Sequence, residues 1–478
     1  KRGKQKDLHF LYTHSTMEWR KIVGNMSALA LLLSLFGPGC TKGPDAAAVA
    51  AAKRTDLRIW SSVDDSDVYE LILNDYRKLH PYANIEYRRF RFEEYEDQLV
   101  NAFAEDRGPD IFLIHNTWVG KYLPKISLMP ASTKIAAQTV TGTIKKEVSY
   151  KLVTEPSVTL RQFKNEYPDT VSNDLILGSR IVGIPLSVDT LAMYVNKDLL
   201  NAAGIATIPE TWDAIQAAII KLTKLNSKGE ILQSGAALGT GANVERSPDI
   251  LSILMMQNGA VMSTPDGSPL FHLVPTASEG QRTEPPSYQA LTFYTDFANP
   301  AKEVYAWNAQ QPNSLEAFLQ GKVAFFFGYS YHLPTIKARA SKLNLGIAKL
   351  PQIAGNPTVN YASYWTWVVA KKSPSQDLAW NLLNFMRTPE ESKKYLDAAH
   401  RPAALKSQLA SQLENEEVGV FASQVLTSKS WYRGNDPRIA DTAMSALIES
   451  TLAGGPESIP DAIKTAAEKI GQTISIYP

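Results

Sequence analysis

The chain has 478 residues, of which 44% are hydrophobic, 20% charged and 9% aromatic, the balance of a globular protein with length for roughly two to three domains. Lys and Arg number 49 against 48 Asp and Glu, a formal charge of +1 with no long basic block, so electrostatic binding to nucleic acid or anionic lipid has no support. A single cysteine rules out a disulfide within the chain.

Arg20 and Lys21 precede an apolar run from Met26 to Phe36, which Gly37-Pro38-Gly39-Cys40 closes. The run is shorter than the ~20 residues of a membrane-spanning helix. A charged start, a short apolar stretch and small residues at its end read as a secretory signal, with Met17 a candidate initiator. The stretch resembles a bacterial lipoprotein signal, with Gly39 before Cys40, although Gly37 and Pro38 depart from that pattern. Cys40 is then the expected lipid attachment site, residues 1–40 the leader and the Ala-rich residues 41–54 a tether.

Leu57 to Trp60 reads as a strand, followed by a polar turn. A helix is expected from about Val68 to His80, with Val68, Leu71, Ile72, Tyr76 and Leu79 on one face. Pro81 ends it. Ile85 to Arg88 alternates as a strand, Phe92 to Ala104 is helical with Tyr95, Leu99 and Phe103 inward, and Asp110 to Ile114 is an apolar strand buried on both faces. This β-α-β-α-β order predicts an open α/β sheet. Residues 131–173 carry no clear element signal.

Ile181 to Pro185 closes an apolar run, and Leu191 to Val195 resumes extended structure after the short step Ser187-Val188-Asp189-Thr190. Thr211-Trp212 opens an amphipathic helix. Helices follow over Ile250 to Gln257 and about Tyr288 to Ala298. Val323 to Phe327 is a buried strand ending in Gly328-Tyr329-Ser330-Tyr331, and Gly346 to Leu350 and Trp365 to Val369 are further strands. Ser373-Pro374-Ser375-Gln376 fits a capping box with Pro at the first helical position, and Thr388-Pro389-Glu390-Glu391 repeats it. The rest of the chain looks mostly helical.

The chain has no phosphate loop, nucleophile elbow, His-Glu-x-x-His or cysteine pair, and its seven histidines lack metal-ligand spacing. Glu93, Glu94, Glu96 and Asp97 sit on a helix with an apolar opposite face, so they read as a solvated surface. Strand ends carry more chemistry. In open α/β sheets ligands sit beyond the carboxyl ends of strands. There the chain places Trp60, Ser62 and Asp64, then His115, Asn116 and Trp118, then Tyr329 and Tyr331, then Tyr364 and Trp365. Aromatic faces pack on the C–H surfaces of sugars while neighbouring polar groups bond the hydroxyls.

Several segments now carry a likeness: Gly108-Pro109-Asp110-Ile111-Phe112 to Trp118 and Tyr122; Gly183-Ile184-Pro185 through Tyr194-Val195-Asn196-Lys197-Asp198 to Pro209-Glu210-Thr211-Trp212; Phe318 to Ala324; and Val369-Ala370-Lys371-Lys372-Ser373 with the Thr388-Pro389 helix start. In this order they resemble the family 1 extracellular solute-binding proteins of bacterial ABC importers, which include maltose-binding protein. Ala214 stands where that family commonly has Glu after Thr-Trp, and Tyr329-Ser330-Tyr331 where it often has Trp.

The resemblance implies an α/β, two-lobe periplasmic-binding-protein-like (type II) fold, each lobe a mixed β-sheet flanked by helices, with a ligand cleft between lobes. Lobe 1 would take about 55–187 and 350–405, and lobe 2 about 191–346 and 407–478, with crossings at Ser187–Thr190, near Ile347–Leu350 and near His400–Lys406. A proline at Val188 is then expected to change closure more than stability. The implied function is an extracytoplasmic, lipid-anchored, monomeric binding subunit that delivers a carbohydrate to an ABC permease. No cofactor, metal or nucleic acid is expected, and membrane contact only through the lipid. A secreted carbohydrate-active hydrolase and a binding protein serving a sensor are the alternatives. Ser62, Asp64, His115, Asn116 and Trp118 are the expected lobe 1 contacts. Asn243, Tyr329 and Tyr331 are those of lobe 2, with Trp365 and Trp431 further candidates.

Overall fold

The structure is a computed structural model that describes residues 46–142, 147–278, 280 and 282–474. Residues 1–43 and 44–478 form separate units; the signal, Cys40 and the first part of the tether lie outside the described residues.

Two five-stranded sheets organise the body, each with its own apolar core. In the first, Thr55–Ser61 pairs in parallel with both Ala83–Arg89 and Ile111–His115. Trp365–Ala370 then adds antiparallel to Ile111–His115, in the register Trp365 opposite His115. The short Ile126–Ser127 closes the other edge. Ile111, Phe112, Leu113 and Ile114 are buried, as a central strand covered by helices on both faces requires. The helix Ser66–Leu79 buries Tyr69, Ile72, Leu73 and Tyr76, whereas Leu71 and Leu79 are exposed. Its inward face is thus turned from the expected one, because aromatic Tyr69 replaces Leu71 against Tyr395 and Trp367.

In the second sheet, Ala192–Asn196 lies between Val323–Gly328 and Leu345–Ala348, antiparallel to both, and Ile231–Ala236 runs parallel to Val323–Gly328. Each sheet is therefore mixed, and the body is a two-lobe α/β fold. A third, three-stranded sheet joins Asp189–Thr190, Asn360–Ser363 and Ser428–Lys429. Core membership changes around these strands: Val188 packs in the first core and Leu191 in the second, Tyr361 in the second and Ala362 in the first.

Helix starts obey local chemistry unevenly. Thr211 accepts from the Ala214 amide at 3.3 Å and caps Trp212–Leu222 without a capping-box acid. The expected box at Ser373 does not form. The helix begins at Gln376, while Ser373 donates to Asp110 and Gln376 bonds Ser127 and the Lys371 carbonyl. Ser373 Oγ still accepts from the nearby Ser375 amide at 3.1 Å, but its proton and the Gln376 side chain go to other partners. Pro389 does begin its helix, but the Thr388 hydroxyl donates to the Phe385 carbonyl instead of capping. The silent region 131–173 forms the hairpin Ser132–Thr141 with Glu147–Pro156, then two short helices, the first opened by a true capping box of Thr159 and Gln162. Within the expected tether, Ala46–Ala51 is helical, with Ala48 fully buried.

Candidate functional site

A cavity of about 870 Å³ lies between elements of the two cores, within the size range of small-molecule sites. Sheet geometry assembles its first wall. Thr55–Ser61 and Ile111–His115 are parallel, so the residues following them, Ser62, Asp64 and Trp118, emerge together. Trp365–Ala370 is antiparallel, so its first residue meets the last of its neighbour, and Trp365 lies beside His115. Ring centroids place Trp365 edge-on to His115 at 5.4 Å, to Trp118 at 5.5 Å and to Phe92 at 6.1 Å. The opposite wall comes from the start of Ser247–Gln257, from Tyr331, from Trp431 and from Asp441.

Buried charge pairs stiffen both walls. Asp64 accepts from Tyr395 at 2.9 Å and meets Arg401 at 3.3 Å. Arg246 grips Asp249 with two bonds of 2.8 Å and reaches Asp441 at 3.5 Å. Burial lowers the Arg246 pKa, but Asp249 and Asp441 outweigh it, and the guanidinium ends well above its ordinary range. Arg246 holds φ at 55°, a left-handed conformation few non-glycine residues adopt, at the residue preceding the helix Ser247–Gln257. Tyr329 donates to Asp249 at 2.6 Å. Asp189, on the first linking strand, accepts from the Ser330 amide and hydroxyl at 2.9 and 2.7 Å. Burial raises its pKa, opposed by Ser330 and by Arg401.

His115 pairs with the Thr117 hydroxyl at 2.8 Å and the Ser363 hydroxyl at 3.0 Å. Burial, helped by Arg246, pushes its pKa down to about 3, so the ring is neutral at physiological pH and serves as a hydrogen-bonding group. Among the described residues no cluster of His, Cys, Asp and Glu is arranged to hold a metal ion, and no helix is long and apolar enough to cross a membrane.

Of the sequence candidates, Ser62, Asp64, His115, Trp118, Tyr331, Trp365 and Trp431 line the cavity. Asn116, Asn243 and Tyr329 stand off it. Asn116 donates to Asp174 at 3.3 Å and accepts from the Tyr364 amide. Asn243 clamps a loop: its amide donates to the carbonyls of Asn308 and Gln311, and its oxygen accepts from Trp307 and Thr240. Tyr329 is fully buried beneath Tyr331, stacked at 5.5 Å, and supports Asp249. Glu93, Glu96 and Asp97 face the cavity mouth, so the helix surface expected to be merely solvated borders the site. Sequence reasoning missed the charged wall of Asp189, Arg246, Asp249, Arg401 and Asp441. The signal available was Arg246-Ser247-Pro248-Asp249, a helix start with Pro and an acid in its first turn; Arg401 and Asp189 are isolated charges in short connections.

The sequence pattern of the family described as bacterial extracellular solute-binding protein matches residues 60–393. A binding protein of Brucella abortus is 26% identical over 231 residues, 47% of this chain and 51% of that protein, so the chain spans about half the length of this relative. The galactooligosaccharide-binding protein of Bacillus subtilis is 21% identical over 452 residues, covering 92% of this chain and 94% of its own. The maltose-binding periplasmic protein of Listeria monocytogenes, solved in complex with maltose, superposes with a TM-score of 0.65 at 17% identity, over 88% of this chain and 99% of that one. That likeness carries the type II two-lobe fold. With most of its length matched by the family pattern and its fold shared, the chain belongs to the bacterial extracellular solute-binding protein family.

Proposed function

We propose that the chain is the extracytoplasmic solute-binding subunit of an ABC importer, holding a sugar or oligosaccharide in the cavity and delivering it to a membrane permease on closure. The observation that carries this is the cavity wall: half-buried Trp118 and Trp365 stand beside Ser62, Asp64 and neutral His115, across from Tyr331 and Arg246. Rings cover the apolar faces of a pyranose and the polar groups take its hydroxyls. A solute contacting both walls binds the closed form better than the open one and shifts the population towards closure.

The lobes are the bodies built on the two sheets, and we assign the crossings to Asp189–Thr190, Asn360–Ser363 and Ser428–Lys429 of the small linking sheet. The last two lie further along the chain than the expected Ile347–Leu350 and His400–Lys406, since Leu350 still packs in the second core and Leu409 and Val425 in the first. Ser62, Asp64, His115, Trp118, Tyr331, Trp365 and Trp431 are the proposed ligand contacts. Asn116 and Tyr329 act one layer behind. Lipid attachment at Cys40 would hold the protein at the outer face of the membrane. Binding without catalysis fits relatives named as binding proteins. A thermal-shift and titration screen across mono- and oligosaccharides tests the function, because a native-state ligand raises apparent stability. Stoichiometric binding without product supports it; steady release of shorter sugars overturns it in favour of a hydrolase.

A further inference from the structure

The charges lining the cavity do not balance. Arg401 answers Asp64, and Arg246 answers both Asp249 and Asp441. Lys121, outside the cavity, answers Glu96. Asp189 is satisfied by Ser330 with Arg401 nearby. That leaves Glu93 and Asp97, which have no ion-pair partner among the described residues, and Glu245, which takes only the neutral Asn313 amide. Arg438, whose one ion pair among the described residues is a 4.0 Å approach to Asp436, also lines the cavity and, with Glu96 and Asp97, acts on the Tyr122 hydroxyl.

The unanswered carboxylates have aromatic neighbours. Glu93 and Asp97 lie on the helix Phe92–Ala104, whose first residue is an exposed ring 6.1 Å from Trp365, and Trp118 adjoins Trp365. Ser62 follows Ser61, whose carbonyl accepts from the Phe90 amide, so it sits beside this helix start. Ser62 is 5% exposed, lines the cavity, and its hydroxyl has no hydrogen-bond partner among the described residues. A buried hydroxyl without a partner is a costly arrangement that a bound group relieves. Carboxylates beside aromatic faces are the chemistry that selects an ammonium group, through ion pairing and cation–π attraction together. Neutral His115 adds no opposing charge here.

We propose that the cavity takes a cationic carbohydrate, a glycoside bearing at least one protonated amino group, with the ammonium at the Glu93–Asp97 end against Phe92, Trp118 and Trp365. This rests on the carbohydrate reading above and narrows it. The test is titration calorimetry of the protein against disaccharides of one linkage that differ in a single substituent: a hydroxyl, a free amine or a uronic carboxylate. A linear diamine without a sugar ring is run alongside. The amino sugar is expected to bind at least tenfold tighter than the neutral one at low salt, with the gap narrowing as salt screens the carboxylates. The double variant E93Q/D97N is expected to bring the two affinities within about threefold. Both side chains are on the surface, so an unchanged unfolding midpoint certifies the fold of the variant. A neutral or uronic sugar binding as tightly as the amine, or a preference that survives in E93Q/D97N, overturns the proposal while leaving the carbohydrate reading intact. Binding of the diamine with no sugar, or of none of the compounds, overturns both.

Discussion

Replacing Trp365 with alanine separates a ligand-facing ring from a packing ring. Trp365 is half-buried, its backbone is fixed by pairing with His115, and its ring meets Trp118 and Phe92 edge-on. Two such aromatic contacts at ~0.5–1.5 kcal/mol each set an expected stability loss of about 1–3 kcal/mol. If a sugar also rests on the ring, truncation removes a centrally placed aromatic contact, for which about 2 kcal/mol or more is typical. That is roughly 30-fold in Kd. Titration calorimetry with a ligand from the screen, paired with urea unfolding of the free protein, reads the two effects apart. Trp365→Phe keeps a flat face and is expected to recover most of the affinity. A Kd within twofold of the parent for Trp365→Ala, with the stability loss present, would show that the ring only packs, and would refute the sugar platform at this end.

Further outcomes follow from the same geometry. Arg433 reaches Asp174 at 3.2 Å, where the carboxylate is buried with its pKa raised by burial and opposed by Arg433. Arg433→Met is expected to cost about 3–5 kcal/mol in urea unfolding, and Asp174→Asn in the same chain to recover part of it, since removing one buried partner strands the other. Asn243→Ala is expected to lower stability by about 1–3 kcal/mol through its lost loop bonds while leaving ligand affinity within twofold by calorimetry. Burial depresses His115 to about 3 and His332 to about 4. Their unfolded forms bind protons below ~6.5 and the folded forms do not. Stability is therefore full above that value and falls as pH drops through the window, by at most ~1.4 kcal/mol per unit for each ring. His115→Asn is expected to flatten that slope in unfolding midpoints measured from pH 7 to 4.5; an unchanged slope would show that the ring is not held neutral.

The parallel core was legible because Ile111 to Ile114 is a continuous apolar run bounded by Gly108-Pro109 and by polar residues. The antiparallel join of Trp365–Ala370 to it was not, since the partners lie far apart in sequence and periodicity is silent on strand order. The same holds for the hairpin of Ser132–Thr141 with Glu147–Pro156, where residues 139–141 and 147–149 are exposed on both faces and therefore lack alternation. Aromatic strand ends found most of one wall. The charged wall escaped because Arg246, Arg401 and Asp189 act through contacts made only when distant segments meet. Val188 shows the limit from another side. Its sequence suggests a neutral place for a rigidifying proline, but the residue is fully buried and its amide donates to the Pro402 carbonyl at 3.2 Å. Proline there would remove that bond and cost stability outright, so it cannot isolate closure.

A carbohydrate is expected to bind between the two lobes and to be left intact. Calorimetric titration of the protein with a series of neutral and amino-substituted di- to tetrasaccharides, with chromatography of the recovered ligand, tests it most directly. Saturable binding of one ligand per chain is expected, weakened by Trp365→Ala, with every sugar recovered whole. Absence of binding across the series, or recovery of cleaved sugars, would contradict it.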